Sequence, residues 1–354
     1  MRIALIKTGA LGDVVRTTSL LPALRRVAAD DEIVWITAAE ALTLLEGNPW
    51  LDLAVDIADP PQAAWRRLSY DWVVSLDDEL PSCQLAARLT CKRLSGAYQA
   101  PTGELAYTPD VAEWFGMGRL RPQSQGGLER ANQLKRANHA TYGEILYRAL
   151  GLPMPVARPE VFITDAGREE ARQWLRSAGP GRARPLVGLN TGAGGRWRFK
   201  AWGVEQTAGL ARAVVGELGG AAVVLGGAKE RERNQAIVSL AGVPGVVVAP
   251  SDLDLKSFAG LIAELDVLVS SDSLAMHLGV AAGRPVIAFF GPTSDREIDL
   301  FGLGEKVVTP LDCRCCYLND CDVRPHCMQS ISVTTLLAAV RRWLEAVPRA
   351  VAAP

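Results

Sequence analysis

The sequence predicts an α/β protein of two tandem domains with mainly parallel, helix-covered sheets, on three observations. Short apolar runs bounded by polar or proline residues alternate with segments of helical spacing. That rhythm breaks once, at Pro- and Gly-containing stretches around 151–159 and 179–185, and then restarts. At 354 residues the chain is long enough for about two domains.

In chain order, residues 3–6 form a buried-type strand. The Gly-containing turn 7–13 follows, and then a helix signalled by Val14, Val15, Leu20, Leu21 and Leu24. Segments 32–37, 52–57 and 71–76 read as further strands. A helix over 165–177 lies inside the linker region, after which strands are expected at 186–189, 221–225, 246–248, 267–269 and 285–290. Alternating β and α units of this kind build a parallel sheet covered on both faces. The expected division is a first domain over 1–160, a second over 161–332, and a terminal segment 333–354 whose helix, 333–346, packs back on the first domain.

Composition removes several function classes. Lys+Arg total 38 against Asp+Glu 39, a net charge of −1, which provides no global basic field for nucleic acid. The best apolar stretch, 278–291, is short and carries Arg284, so no membrane span is expected. The N-terminal apolar run stops at Lys7, too early for a secretory signal, and the expected location is the cytoplasm. A local excess of basic residues stands between 116 and 148, where Arg119, Arg121, Arg130, Lys135, Arg136 and Arg148 face Glu129 and Glu144.

Four segments sit where open α/β sheets hold ligands, at strand carboxyl ends. In Gly9-Ala10-Leu11-Gly12-Asp13 the glycines admit close backbone approach and Asp13 offers a carboxylate; a turn at Gly12 with Asp13 capping the next helix is the plain alternative. The spacing is neither a dinucleotide fingerprint nor a phosphate-binding P-loop, which disfavours a dehydrogenase. Asn190-Thr191-Gly192-Ala193-Gly194-Gly195 leads to Arg196, Arg198 and Lys200, a Gly-rich and cationic loop suited to phosphate. Ser270-Ser271-Asp272-Ser273-Leu274 opens a helix that carries His277. Ser271 or Asp272 is the expected cap, and the amides of Ser273 and Leu274 would face an anion. Gly291-Pro292-Thr293 follows the last strand.

A fifth feature is the cluster of five of the seven cysteines within 313–327. Cys313, Cys316, Cys321 and Cys327 have the count for a structural zinc or iron site, with reduced structural thiols as the equal alternative.

In their order, the Gly9–Asp13 loop, Thr191 with Lys200 and Trp202, Gly226-Gly227, Asp272-Ser273 with Met276-His277, and Gly291-Pro292-Thr293 resemble glycosyltransferase family 9, the ADP-heptose:lipopolysaccharide heptosyltransferases and their relatives. Segment 138–152 resembles the family's inter-domain approach, and Cys327-Met328 has counterparts in many members. The resemblance implies a GT-B architecture of two Rossmann-like domains facing a central cleft, with acceptor on the first and nucleotide sugar on the second. It implies Asp13 as general base and Lys200 as the cation meeting the leaving diphosphate. Nucleotide-sugar contacts are implied at Gly12, Thr191, Gly192, Glu230, Asp272, Ser273, Leu274, His277, Gly291, Pro292 and Thr293. Glu230 stands one residue later than the acid that family members using ADP-heptose carry after Gly-Ala.

The implied reaction is inverting transfer of a sugar, heptose from ADP-heptose first, to a lipopolysaccharide-core or related surface glycan. One base suffices because a diphosphate leaves without a partner acid. No cofactor is required by this chemistry. The acceptor is an anionic glycolipid or saccharide, steered by the basic residues of 116–148, and peripheral contact at the inner face of the cytoplasmic membrane belongs to the same expectation. The competing readings are a GT-B transferase with another nucleotide-sugar donor and a non-catalytic nucleotide-sugar-binding scaffold with a structural Cys cluster.

Overall fold

The structure is a computed structural model that describes residues 1–28, 32–118, 120–177, 179–194, 198–318 and 321–346. The chain forms two compact units, one of residues 1–162 with Arg296–Asp299 and one of 163–295 with 300–354.

In the first unit the strands are β1 (Arg2–Ile6), β2 (Glu32–Thr37), β3 (Leu53–Asp56), β4 (Ser69–Ser75), β5 (Thr90–Gln99) and β6 (Leu105–Tyr107). The helices are α1 (Leu11–Thr17), α2 (Leu21–Val27), α3 (Ala39–Leu45), α4 (Leu80–Arg88), α5 (Ala112–Gly116), α6 (Gly127–Ala137) and α7 (Tyr142–Leu150). The sheet order is β3-β2-β1-β4-β5-β6, parallel except for the β5–β6 pair. Ile3 to Ile6 are wholly buried because helices cover both sheet faces, and successive residues alternate between two cores. Ile3, Leu5, Ile33 and Trp35 face one side; Ala4, Ile6, Val34 and Ile36 face the other.

The second unit repeats the pattern. Its helices are α8 (Asp165–Ser177), α9 (Val204–Leu218), α10 (Arg231–Ala241), α11 (Leu255–Ala263), α12 (Leu274–Ala281) and α13 (Val333–Ala346). Its strands β7 (Leu186–Asn190), β8 (Ala221–Leu225), β9 (Val246–Val248), β10 (Val267–Ser271), β11 (Val286–Phe290) and β12 (Gly304–Val308) lie in the order β12-β11-β10-β7-β8-β9, all parallel.

Both units are therefore Rossmann-like, and in both the strand order reverses beside the first strand. The switch points fall between β1 and β4 and between β7 and β10. Crevices at such points, at strand carboxyl ends, are where open α/β sheets bind ligands.

The terminal helix differs from expectation. Leu336, Leu337, Ala339 and Val340 of α13 are buried in the second unit's core, against α9 and the strands β10 to β12. The apolar stripe of α13 is thus matched by its own unit's sheet, and the helix is part of that unit. Strands β5, β6 and β12 also go beyond the expected set.

Candidate active site

Each switch point carries its own group of polar residues. In the first unit, Gly12 and Asp13 lie in the first turn of α1, whose N-cap is Ala10, so Asp13 does not cap the helix by a side-chain bond. Its carboxylate is flanked by two cations, with Arg16 Nε at 3.0 Å from Oδ1 and Lys7 Nζ at 3.9 Å from Oδ2. The Arg16 guanidinium stands over the Tyr142 ring at 4.1 Å and the Trp114 ring at 5.3 Å, a stacked arrangement that fixes its plane.

Lys7, at the end of β1, is buried and ion-paired with the buried Asp77 that follows β4. Lys7 Nζ also donates to Gly9 O at 2.6 Å. Asp77 Oδ2 in turn accepts from the Thr8 amide, from the Thr8 hydroxyl at 2.8 Å and from the Gly9 amide at 3.4 Å. Burial opposes the Lys7 charge, yet Asp77, Asp13 and Tyr142 outweigh it and raise its pKa. The pKa of the next residue, Asp78, is raised as well, which favours its neutral form. Burial and the neighbouring Asp77 charge raise its carboxyl.

At the second unit's switch point, Lys200 Nζ donates to Asp272 Oδ2 at 3.2 Å, and His277 Nε2 lies 3.9 Å from Asp272 Oδ1. Three expected residues are thus brought together around one carboxylate. Asn190, at the end of β7, ties the two loops, since its Nδ2 donates to Ser270 Oγ at 3.1 Å, Ser273 Oγ at 3.0 Å and Gly192 O at 2.8 Å. Neither Ser271 nor Asp272 caps α12. Ser271 is the last residue of β10, and the N-cap is Ser273, whose hydroxyl faces Ser270 and Asn190 instead. The amides of Ser273 and Leu274 remain at the start of that helix.

Thr191 is buried, with its hydroxyl 3.0 Å from Leu225 O and 2.5 Å from Asn234 Oδ1, so it braces the strand ends. Close approach explains Gly226, where a Cβ would sit 2.7 Å from Asn234 Nδ2 and 2.8 Å from Glu230 Cβ. Glu230 Oε2 accepts from the Gly227 amide at 3.0 Å and lies 3.8 Å from where a Gly192 Cβ would be, which sets the carboxylate beside the Thr191–Gly192 turn. Arg233 closes the loop from below, donating to Thr191 O at 3.4 Å and to Trp202 O.

Gly291, Pro292 and Thr293 are buried, and the Thr293 hydroxyl has no hydrogen-bond partner among the described residues. Arg196 and the Arg198 side chain lie outside the described residues, as does Arg119.

The cysteine segment folds onto this loop. Cys315 N donates to Gly291 O at 3.0 Å, Tyr317 N to Pro292 O at 2.9 Å, and Ser294 N to the Tyr317 hydroxyl at 3.0 Å. All seven cysteines are free thiols. Cys313 is exposed whereas Cys327 is buried under Gly291, and burial pushes the Cys327 thiol up to about 11. Among the described residues no three His, Cys, Asp or Glu side chains are gathered as a metal site, while the Cys316, Cys321 and Cys313 thiols lie near enough to Cys327 for their charges to raise its pKa further.

The basic stretch is also partly committed. Arg121 donates to Gly116 O and Gln125 O, Arg148 pairs with Glu113, and Lys135 is buried. Among the described residues no helix is long and apolar enough to cross a membrane.

Several residues in these networks escape sequence reading, namely Lys7, Arg16, Asp77, Asn190, Arg233 and Asn234. Lys7 and Asn190 stood inside quoted loops without a role, Arg16 reaches Asp13 within one turn of α1, and Asp77, Arg233 and Asn234 are brought in by contacts distant in sequence.

Comparison with known proteins bears on the family and the fold. The family described as Glycosyltransferase family 9 (heptosyltransferase) matches residues 64–316. Lipopolysaccharide heptosyltransferase 1 of Pseudomonas aeruginosa is 24% identical over 343 residues, covering 92% of this chain and 88% of that protein. Among solved structures, the glycosyl transferase family 9 protein from Veillonella parvula superposes with a TM-score of 0.76 at 20% identity, covering 98% of each chain. E. coli ADP-heptose lps heptosyltransferase II does so with a TM-score of 0.71 at 18% identity, covering 98% of this chain and 99% of that one. With two Rossmann-like units, polar groups at both switch points and a family match across most of its length, this chain belongs to glycosyltransferase family 9, the nucleotide-sugar-dependent glycosyltransferases that include the heptosyltransferases.

Proposed function

We propose that the chain is an inverting glycosyltransferase that moves heptose from ADP-heptose to a lipopolysaccharide-core or related surface saccharide, with Asp13 as general base. The observation that carries this reading is the division of charge between the two switch points. The first presents a part-exposed carboxylate held between two cations; the second presents Lys200 paired with Asp272, which stands just before the start of α12, and an unpartnered Thr293 hydroxyl in the loop after β11.

Asp13 takes the proton of the acceptor hydroxyl as that oxygen attacks C1 of the sugar. The bond from C1 to the diphosphate breaks with inversion, and the diphosphate leaves against Lys200 and the amides of Ser273 and Leu274. The donor nucleotide is taken as ADP from the relatives, and Glu230, beside Gly192, is the residue proposed to meet ribose hydroxyls. An anionic lipid-linked acceptor would be met at the inner face of the cytoplasmic membrane.

Isothermal titration with ADP, UDP and GDP tests the reading on the wild type, Asp13→Ala and Lys200→Ala. ADP binding spared in Asp13→Ala and weakened in Lys200→Ala, with transfer lost in both, is the expected result. Preference for UDP or GDP overturns the donor, and no binding of any nucleotide turns the protein into a non-catalytic scaffold.

A further inference from the structure

Lys7 and Asp77 exceed what the fold alone asks of a strand end. We propose that they form a buried positioning pair that holds the Asp13 loop and its carboxylate in place for proton abstraction. The proposal rests on Asp13 as the base of the transfer.

Lys7 is 6% and Asp77 7% exposed, and charges that deep persist only when paired and hydrogen-bonded. Between them they take up the local backbone. Lys7 donates to Gly9 O, while Asp77 accepts from the amides of Thr8 and Gly9 and from the Thr8 hydroxyl. The pair therefore links the end of β1, the loop before α1 and the end of β4, the two strands that frame the switch point.

On its far side Asp13 meets Arg16, itself fixed over Tyr142, whose hydroxyl lies 2.7 Å from Thr17 Oγ1. Side-chain exposure then separates the roles. Asp13 is 34% accessible, against 7% for Lys7, 9% for Asp77 and 15% for Arg16. The network has one solvent-facing carboxylate, and the rest of it is scaffolding.

The 3.9 Å separation of Lys7 from Asp13 matters as well. It is close enough to favour the ionised carboxylate, while the strong pairing of Lys7 is with Asp77. The charged and titratable groups around Asp13 are Lys7 from β1, Arg16 from α1, Asp77 and Asp78 from the turn after β4, and Tyr142 from α7.

The test uses the full chain, ADP-heptose and a deacylated inner-core oligosaccharide of lipopolysaccharide as acceptor. The double variant Lys7→Met/Asp77→Leu removes both charges together, so neither is left buried alone. Expected is a fall in kcat of about a hundred-fold with acceptor KM within about two-fold of wild type, because misplacement of a reacting group by an ångström is felt in the chemical step. The acid limb of the kcat profile should move to higher pH, since the Lys7 cation lost stands 3.9 Å from Asp13 and its loss outweighs that of the Asp77 anion, which is not in ion-pair or hydrogen-bond contact with Asp13. Thr8→Val, which removes only one hydroxyl from Asp77, gives a smaller change of the same kind and guards against a double variant that does not fold.

A wild-type kcat and pH profile in folded variants overturns the proposal, as does a rise in acceptor KM at constant kcat. Asp13→Ala runs in the same assay. If it retains transfer, the base assignment fails; if it is inactive while the pair variants are normal, only the positioning role fails.

Discussion

At the scale of single residues, the Thr293 hydroxyl offers the sharpest contrast between ligand-free stability and ligand binding. It is 3% exposed in the loop after β11 with no partner among the described residues, and an unsatisfied buried hydroxyl costs about 1–3 kcal/mol. Thr293→Val keeps the shape and removes the orphan. We expect the variant to unfold at a higher temperature, by roughly 1 kcal/mol of stability, yet to bind ADP more weakly. A loss of stability together with unchanged ADP affinity would show that the hydroxyl serves the fold.

The same residues show what the sequence could carry. The positions of Asp13 and Lys200 at strand carboxyl ends are legible because each follows an apolar run through a Gly-containing loop. Asp77 is not, because its meaning comes from Lys7, 70 residues away, and from backbone amides that only the folded β1–β4 junction aligns. Asn234 likewise gains its contact with Thr191 only when α10 brings it against the end of β7.

Among the elements, the cysteine segment acts as a brace on the loop after β11. Its backbone pairs with Gly291 and Pro292, and its end packs Cys327 Sγ and Met328 Sδ where a Gly291 Cβ would stand at 2.6 and 2.8 Å. Both side chains are buried, so Gly291→Ala must push the segment outward, at a cost of about 1–3 kcal/mol for overpacking. Chemical denaturation should show that loss, and ADP titration should show weaker binding through the displaced Thr293. Adding Cys327→Ala opens space and should recover part of both, the coupling expected of touching residues. Additive effects of the two substitutions would remove the brace.

Central strands are legible at this scale because burial on both faces demands uninterrupted apolar runs, as in Ile3 to Ile6 and Ala221 to Leu225. Strands β5 and β12 are hidden by Lys92, Arg93 and Lys306, polar residues that outer positions in the sheet tolerate. The apolar stripe of α13 is legible as a helix, but nothing in a stripe says which sheet it will cover.

Across the whole molecule, the two units differ in how they should meet alkali. The first unit holds Tyr70, pushed by burial up to about 12, Cys83, likewise up to about 12, and Tyr107, Tyr142 and Tyr147, all raised by burial. An acid that stays neutral in the fold but ionises at its ordinary 9.0 or 10.0 when exposed makes the unfolded state release protons first. Stability is then lost as pH climbs from about 9 towards 12. Lys7 acts in the same direction. Burial opposes its charge but Asp77 and Asp13 raise its pKa, so its contribution is complete below the ordinary 10.5 and disappears as pH rises through the higher folded value. In the second unit Cys327 is likewise raised by burial, to about 11.

The first unit, which carries Asp13, should therefore open at lower pH than the second, which carries Lys200. Transfer activity would be lost while ADP is still bound. Spectrophotometric tyrosine titration should show Tyr70, Tyr107, Tyr142 and Tyr147 ionising late and together, with the unfolding of their unit. Gradual ionisation of these tyrosines in a folded chain, or simultaneous loss of transfer and ADP binding, would mean that burial in the first unit does not govern its alkaline limit.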